Sequence, residues 1–127
     1  MKKEIIITIV TIFIIIAGDL ITQNYTKRCV EKTSNDLTNL KQNVLNNSGN
    51  NLKDTSKEIY NIWKENSKGL AFYIEHDELE KVDIQMKVVT ADLESETPEE
   101  SVSEIEQAIY LLHHIEEKRA LKLKNIF

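Results

Sequence analysis

The chain has 127 residues and a formal charge of −5, with 21 acids against 16 bases, a length that suits a single domain. The charge is uneven: residues 75–106 hold twelve acids against Lys81 and Lys87, a local balance of −10, while the flanking segments are mildly basic. A surface this acidic repels phosphates, and no basic patch with interleaved aromatics offsets it, so nucleic acid is not an expected partner. A single cysteine, Cys29, rules out an intrachain disulfide.

Met1-Lys2-Lys3-Glu4 leads into an uncharged, isoleucine-rich run, Ile5 to Gly18, which reaches 17 residues if extended past Asp19 to Ile21. That is about 25 Å of helix, just short of a hydrocarbon core of about 30 Å, so Asp19 and the lysines must reach for the interface. The run has no polar face, which argues against a soluble core helix. A cleaved signal peptide would need small residues at two positions before the cut. Ala17 and Gly18 are small, but Ile15 and Ile16 stand two residues before them. Residues 1–22 are therefore expected to form an uncleaved anchor of the signal-anchor type, and residues 23–127 a helical domain. Lys2 and Lys3 at the extreme N-terminus favour an inside N-terminus and an outside domain, although Lys27, Arg28 and Lys32 follow the span.

Val30, Thr33, Leu37, Leu40 and Val44 recur at spacings of three and four, the seam of an amphipathic helix continuous with the span. It runs out in Asn46–Asn51, where Gly49 can take the left-handed conformation that ends a helix. A second helix, starting near residues 51–55, places Leu52, Ile59, Ile62, Trp63, Leu70, Tyr73 and Ile74 on one face, with Gly69 a weak point. The next seam is Leu79, Val82, Met86, Val89 and Leu93, with Asp77 and Glu80 as a capping pair. No proline separates these two helices, so two helices or one bent helix both fit.

Ser95-Glu96-Thr97-Pro98-Glu99-Glu100 is a clear break: Thr97 suits an N-cap, Pro98 the first helical position and Glu100 the reciprocal capping bond. The last helix turns Val102, Ile105, Ala108, Ile109, Leu112 and Ile115 inward and is expected to end near Glu117–Arg119. The tail from Ala120 to Phe127 then reads as an extended segment packed on the bundle, with Leu121 and Leu123 inward and Lys122 and Lys124 in water. The expected fold is all-α, an N-terminal transmembrane helix continuing into a small three- to four-helix bundle.

The anchor, the tryptophan helix leading into Ile74-Glu75-His76-Asp77-Glu78, the last helix through Leu112-His113-His114-Ile115 and the terminal Asn125-Ile126-Phe127 together carry a resemblance. The chain resembles an uncharacterised "domain of unknown function" family of short, N-terminally membrane-anchored helical proteins of low-GC Gram-positive bacteria. The resemblance implies no activity, cofactor or catalytic residue, and suggests a membrane partner.

Among chemistry-bearing residues, His76 could join His113 or His114 in a zinc site if the helices met there. On a helix, however, adjacent His113 and His114 point about 100° apart, and no pair of histidines has the i, i+4 spacing of a metalloprotease helix. The plainer expectation is that His76 and Asp77 cap a helix while His113 and His114 favour a helix C-terminus. Cys29, beside Lys27 and Arg28, reads as a surface thiol. The acids between Glu75 and Glu106 lack the spacing of a calcium loop, and three glycines cannot build a phosphate cradle. Trp63 with Tyr60, Phe72 and Tyr73 reads as core before it reads as a stacking site.

The sequence thus points to a non-enzymatic, membrane-anchored interaction protein of the bacterial cytoplasmic membrane, without catalytic residues or a cofactor. Its expected partners are the bilayer and another membrane protein, or a second copy. The structural core is expected at Trp63, Leu70, Val82, Met86, Ile109 and Leu112. The alternative is an extracytoplasmic ligand- or metal-binding sensor module using His76 with His113 or His114.

Overall fold

The computed structural model describes residues 1–47, 51–95 and 97–126, with Leu123 and Ile126 described by their backbone alone. It is all-helical across those residues: α1 (Lys2–Leu45), α2 (Leu52–Leu70), α3 (His76–Glu94), a 3₁₀ turn (Pro98–Glu100) and α4 (Ser101–Ile126). Helices α1 and α3 each pack on both α2 and α4. The short connections reverse direction each time, so the four helices form an up-down-up-down bundle.

α1 is one unbroken helix of 44 residues with two chemically different halves. The residues from Ile5 to Ile16 are exposed all round, and this is the helix long and apolar enough to cross a membrane among those described. Thr8 and Thr11 return their hydroxyls to the carbonyls of Glu4 and Ile7, each at 2.8 Å, removing the cost of a polar group in an apolar helix. From Thr26 to Val44 the same helix is a wall of the bundle, burying Thr26, Cys29, Val30, Thr33, Ser34, Leu37, Leu40 and Val44.

The core runs the length of the bundle. Trp63, Leu70, Val82 and Leu112 are fully buried, Met86 nearly so, and Ile109 lies half-buried at the margin, where Ala108 takes the inward position instead. Trp63 donates its indole N–H to Asp83 Oδ1 at 2.9 Å, and Lys64 holds the other carboxylate oxygen at 2.8 Å. Burying an aromatic with a polar tip requires such a partner. Gln85, also buried, donates to the Glu104 carbonyl and carboxylate, at 3.0 and 2.6 Å, tying α3 to α4.

Several local expectations are corrected. Cys29 is buried, not a surface thiol; burial pushes its pKa up, opposed by the Tyr25 hydroxyl and the Arg28 charge. Of the two arrangements that the sequence leaves open, α2 and α3 are separate helices, because Tyr73 N–H and Ile74 N–H both return to the Leu70 carbonyl and turn the chain. α3 starts after Glu75, without a side-chain capping bond from Asp77 or Glu80; the Glu75 carbonyl receives the Glu78 and Leu79 N–H groups instead. Thr97 and Pro98 open a 3₁₀ turn, also without a side-chain cap, and the reciprocal bond assigned to the Glu100 side chain is replaced by its backbone N–H donating to the Thr97 carbonyl at 3.1 Å. Gly49 lies outside the described residues, while Asn47 and Asn51 adopt positive φ in the same connection, a conformation asparagine tolerates.

The last helix does not stop at Arg119. It continues to Ile126, because Ala120, Leu121, Lys122 and Lys124 are all strong helix formers and no Gly or Pro interrupts them. The extended, packed tail is therefore replaced by two further helical turns, on which Leu121 is 59% exposed. The side chains of Leu123, Ile126 and Phe127 lie outside the described residues.

At the end of the bundle away from the apolar half of α1, the Asp92 carboxyl is pushed above its ordinary range, first by burial and then by Glu104 and Glu100. The folded chain thus keeps this proton to higher pH than the unfolded chain. That contribution favours folding once pH falls below the ordinary carboxylate value and is lost as pH rises through the folded pKa. Asp92→Asn should therefore stabilise the protein near neutral pH, by about 0.5 kcal/mol for a partly exposed site. Thermal unfolding should show the gain shrinking to nothing in acid, where Asp92 is protonated in both states.

Candidate functional site

The densest polar network lies at the opposite end, where the apolar half of α1 leaves the bundle. Arg119 of α4 donates from Nη2 to Thr22 Oγ1 at 3.0 Å and pairs with Asp19 Oδ1 at 3.7 Å. Its guanidinium also lies 5.0 Å from the centre of the Tyr73 ring, within the range of a cation–π contact. Tyr73 Oη sits 3.0 Å from the Thr22 carbonyl oxygen and 2.7 Å from Thr26 Oγ1, which is itself 2.7 Å from that carbonyl. Two hydroxyl hydrogens serve this three-oxygen cluster. Burial pushes the Tyr73 pKa up, against the lowering effects of the Thr26 hydroxyl and the Arg119 charge, so the phenol stays protonated as a donor.

A second contact locks α2 to the same stretch. Tyr25 Oη donates to the Asn66 carbonyl at 2.8 Å, and the Tyr25 ring lies over Gly69, where an added Cβ would come within 2.6 Å of the phenol oxygen. Gly69 is thus the position that lets the Tyr25 ring reach the α2 backbone, not merely a weak point in the helix. Outside this lock, Lys118 pairs with Glu78 at 3.2 Å and Glu75 at 3.7 Å, and Lys122 pairs with Glu75 at 3.3 Å. The two lysines, Lys122 first, hold the Glu75 carboxyl below its usual range. Between these groups lies a small crevice of about 20 Å³, about the room that one water molecule needs.

The three histidines are not brought together on a common carboxylate. His76, at the start of α3, is 87% exposed and faces Glu80 at 3.8 Å. His113 faces Glu116 at 3.9 Å, and His114 faces Glu78 at 4.0 Å. Among the described residues, no three His, Cys, Asp or Glu side chains converge as a metal site would require. His113 and His114 lie in the middle of α4, not at its C-terminus, because the helix runs on past them; His114 stacks on Tyr110 at 6.3 Å between ring centres. Of the aromatic set, Trp63 is core, Tyr60 and Tyr73 pack against the core, and Phe72 is 91% exposed in the α2–α3 turn.

A family described as "Domain of unknown function (DUF4363)" matches residues 20–126, which is the whole bundle from the foot of the apolar run onward. The chain belongs to the DUF4363 family. Comparisons with curated proteins and with solved structures give no match.

Within this DUF4363 bundle, sequence reasoning missed Asp19 and Arg119 as partners. By sequence alone Asp19 is a group reaching for an interface, and Arg119 marks the end of a helix. The available signals were weak: a lone acid at the foot of an apolar run, and one of only two arginines in a chain with fourteen lysines. Arginine is the side chain suited to a planar pair that also stacks on a ring. The lock is not fully satisfied internally, since Asp19 Oδ2, Gln23 Oε1 and Arg119 Nε are buried without a hydrogen-bond partner among the described residues.

Proposed function

We propose that the protein is a bitopic, non-enzymatic interaction protein: α1 spans a bacterial cytoplasmic membrane with its N-terminus inside, and the bundle stands outside and binds another membrane protein. The observation that carries this reading is the continuity of α1. Its exposed isoleucine half needs an apolar environment, and its other half is a structural wall of the bundle, so anything bound to the bundle is mechanically coupled to the span.

The docking face is assigned to α3. Ile84 and Val88, one turn apart, are 55% and 37% exposed on the side facing away from the core, with exposed Lys81 and Lys87 beside them, the two bases of an otherwise acidic stretch. An apolar pair flanked by lysines suits a partner with an apolar groove and an acidic rim.

Two measurements test this. Alkaline carbonate should leave the full-length protein in the membrane pellet, and its release would contradict the span. A photo-crosslinking residue at position 84 or 88, in native membranes, should give one discrete adduct that salt weakens, whereas position 57 on α2 should give none. Indiscriminate adducts at all three positions, or a product of twice the chain's own mass, would contradict a heterologous partner.

A further inference from the structure

Resting on the reading of α1 as a membrane span, we propose that the end of the bundle nearest the span sits in the lipid interface, with Phe72 and the last two turns of α4 as its contact surface. Helix α4 runs antiparallel to α1, as shown by the pairs Lys41–Glu106 at one end and Asp19–Arg119 at the other. Beyond Arg119 the helix continues for seven residues to Ile126, an advance of about 10 Å toward the span. Arg119 already reaches Asp19 and Thr22, so these turns descend alongside the foot of the apolar run. There, Ala17 and Asp19 are half-buried although every residue from Ile5 to Ile16 is exposed.

The α2–α3 turn arrives at the same level, because Tyr73 bonds the Thr22 carbonyl at 3.0 Å. Next to it Phe72 projects with 91% of its surface exposed. A phenylalanine ring in that position leaves water by entering the boundary between headgroups and acyl chains, as on interfacial helices. On α4, exposed Leu121 is flanked by Lys122 and Lys124, also exposed. Lys122 keeps its ammonium on Glu75 at 3.3 Å, so Lys124 is the side chain that lays its apolar stem along the bilayer and meets lipid phosphates. The short span adds a driving force. Seventeen residues give about 25 Å against a hydrocarbon thickness of about 30 Å, so the mismatch draws the bundle down onto the headgroups. The outcome is a bundle seated on the bilayer, not one held off it on a stalk.

The test uses the full chain in phosphatidylglycerol–phosphatidylethanolamine nanodiscs, in a Cys29→Ala background. Single spin labels are placed through Ile14→Cys, Phe72→Cys, Leu121→Cys and Lys57→Cys. All four positions are exposed, so the labels leave the core intact. Collision with lipid-soluble oxygen, relative to a water-soluble nickel chelate, reports depth. The ratios at 72 and 121 should lie several-fold above that at 57 and toward that at 14. Ratios at 72 and 121 equal to that at 57, with 14 lipid-exposed, would overturn the seated bundle while leaving the span intact. Chelate access at 14 itself would overturn the span and this inference with it.

Discussion

Replacing Trp63 with alanine should destabilise the bundle by about 3–5 kcal/mol, the usual cost of removing a large buried side chain. The ring is fully buried, and its loss opens a cavity in a core to which all four helices contribute. Its indole N–H also satisfies Asp83 at 2.9 Å, but Lys64 remains on that carboxylate, so the cavity dominates the loss. Trp63→Phe keeps most of the volume and removes the donor, and should cost about 1–2 kcal/mol. Because Trp63 is the sole tryptophan, helical circular dichroism rather than fluorescence must follow unfolding. Against a total stability of about 5–15 kcal/mol for a typical domain, the alanine variant should be marginal at best. A cost below about 1 kcal/mol would mean that the ring is not the centre of the core.

The second large effect belongs to Arg119. Arg119→Ala removes a charged hydrogen bond to Thr22, an ion pair with Asp19 and the contact with the Tyr73 ring. Both charged side chains are mostly shielded, with 16% and 21% of their surfaces exposed. Stranding one partner of a fully buried pair costs about 3–5 kcal/mol; the residual exposure and the 3.7 Å separation reduce this to about 2 kcal/mol. Asp19→Asn should rescue part of the loss, since it removes the stranded charge, and the double-mutant cycle should return a favourable coupling energy. Arg119→Lys should fall between, because a lysine keeps the charge but cannot both bond Thr22 and stack on the ring. Additive losses in the cycle would show that the two residues act independently.

The sequence made the helices and their inward faces legible because hydrophobic spacing is a local signal. The seam from Val30 to Val44 and that from Leu79 to Leu93 are buried position by position. Cys29 was legible in principle: stepping the first seam back by one turn reaches Thr26 and Cys29, but the neighbouring Lys27 and Arg28 argued for the surface. The end of α4 was misread because Leu-Lys-Leu-Lys alternation suggested an extended segment, whereas the helix propensity of those residues, on a helix already formed, decides the matter. The lock at the foot of α1 could not be read. Asp19 and Arg119 lie 100 positions apart, and Tyr25 meets Gly69 across two helices; no periodicity encodes either pairing. His76, His113 and His114 illustrate the same limit in reverse, since their proximity in composition carried no information about which carboxylate each would face.

The proposed coupling of span to bundle requires α1 to be a single rigid helix that serves as both. Hydrogen–deuterium exchange of the full-length protein in nanodiscs tests this most directly. Uninterrupted slow exchange is predicted from residue 5 through residue 44, including residues 17–25, where Thr22 is bonded by Arg119 and Tyr73. Rapid exchange confined to residues 17–25, between two protected halves, would reveal a hinge and contradict the coupling of the span to the bundle.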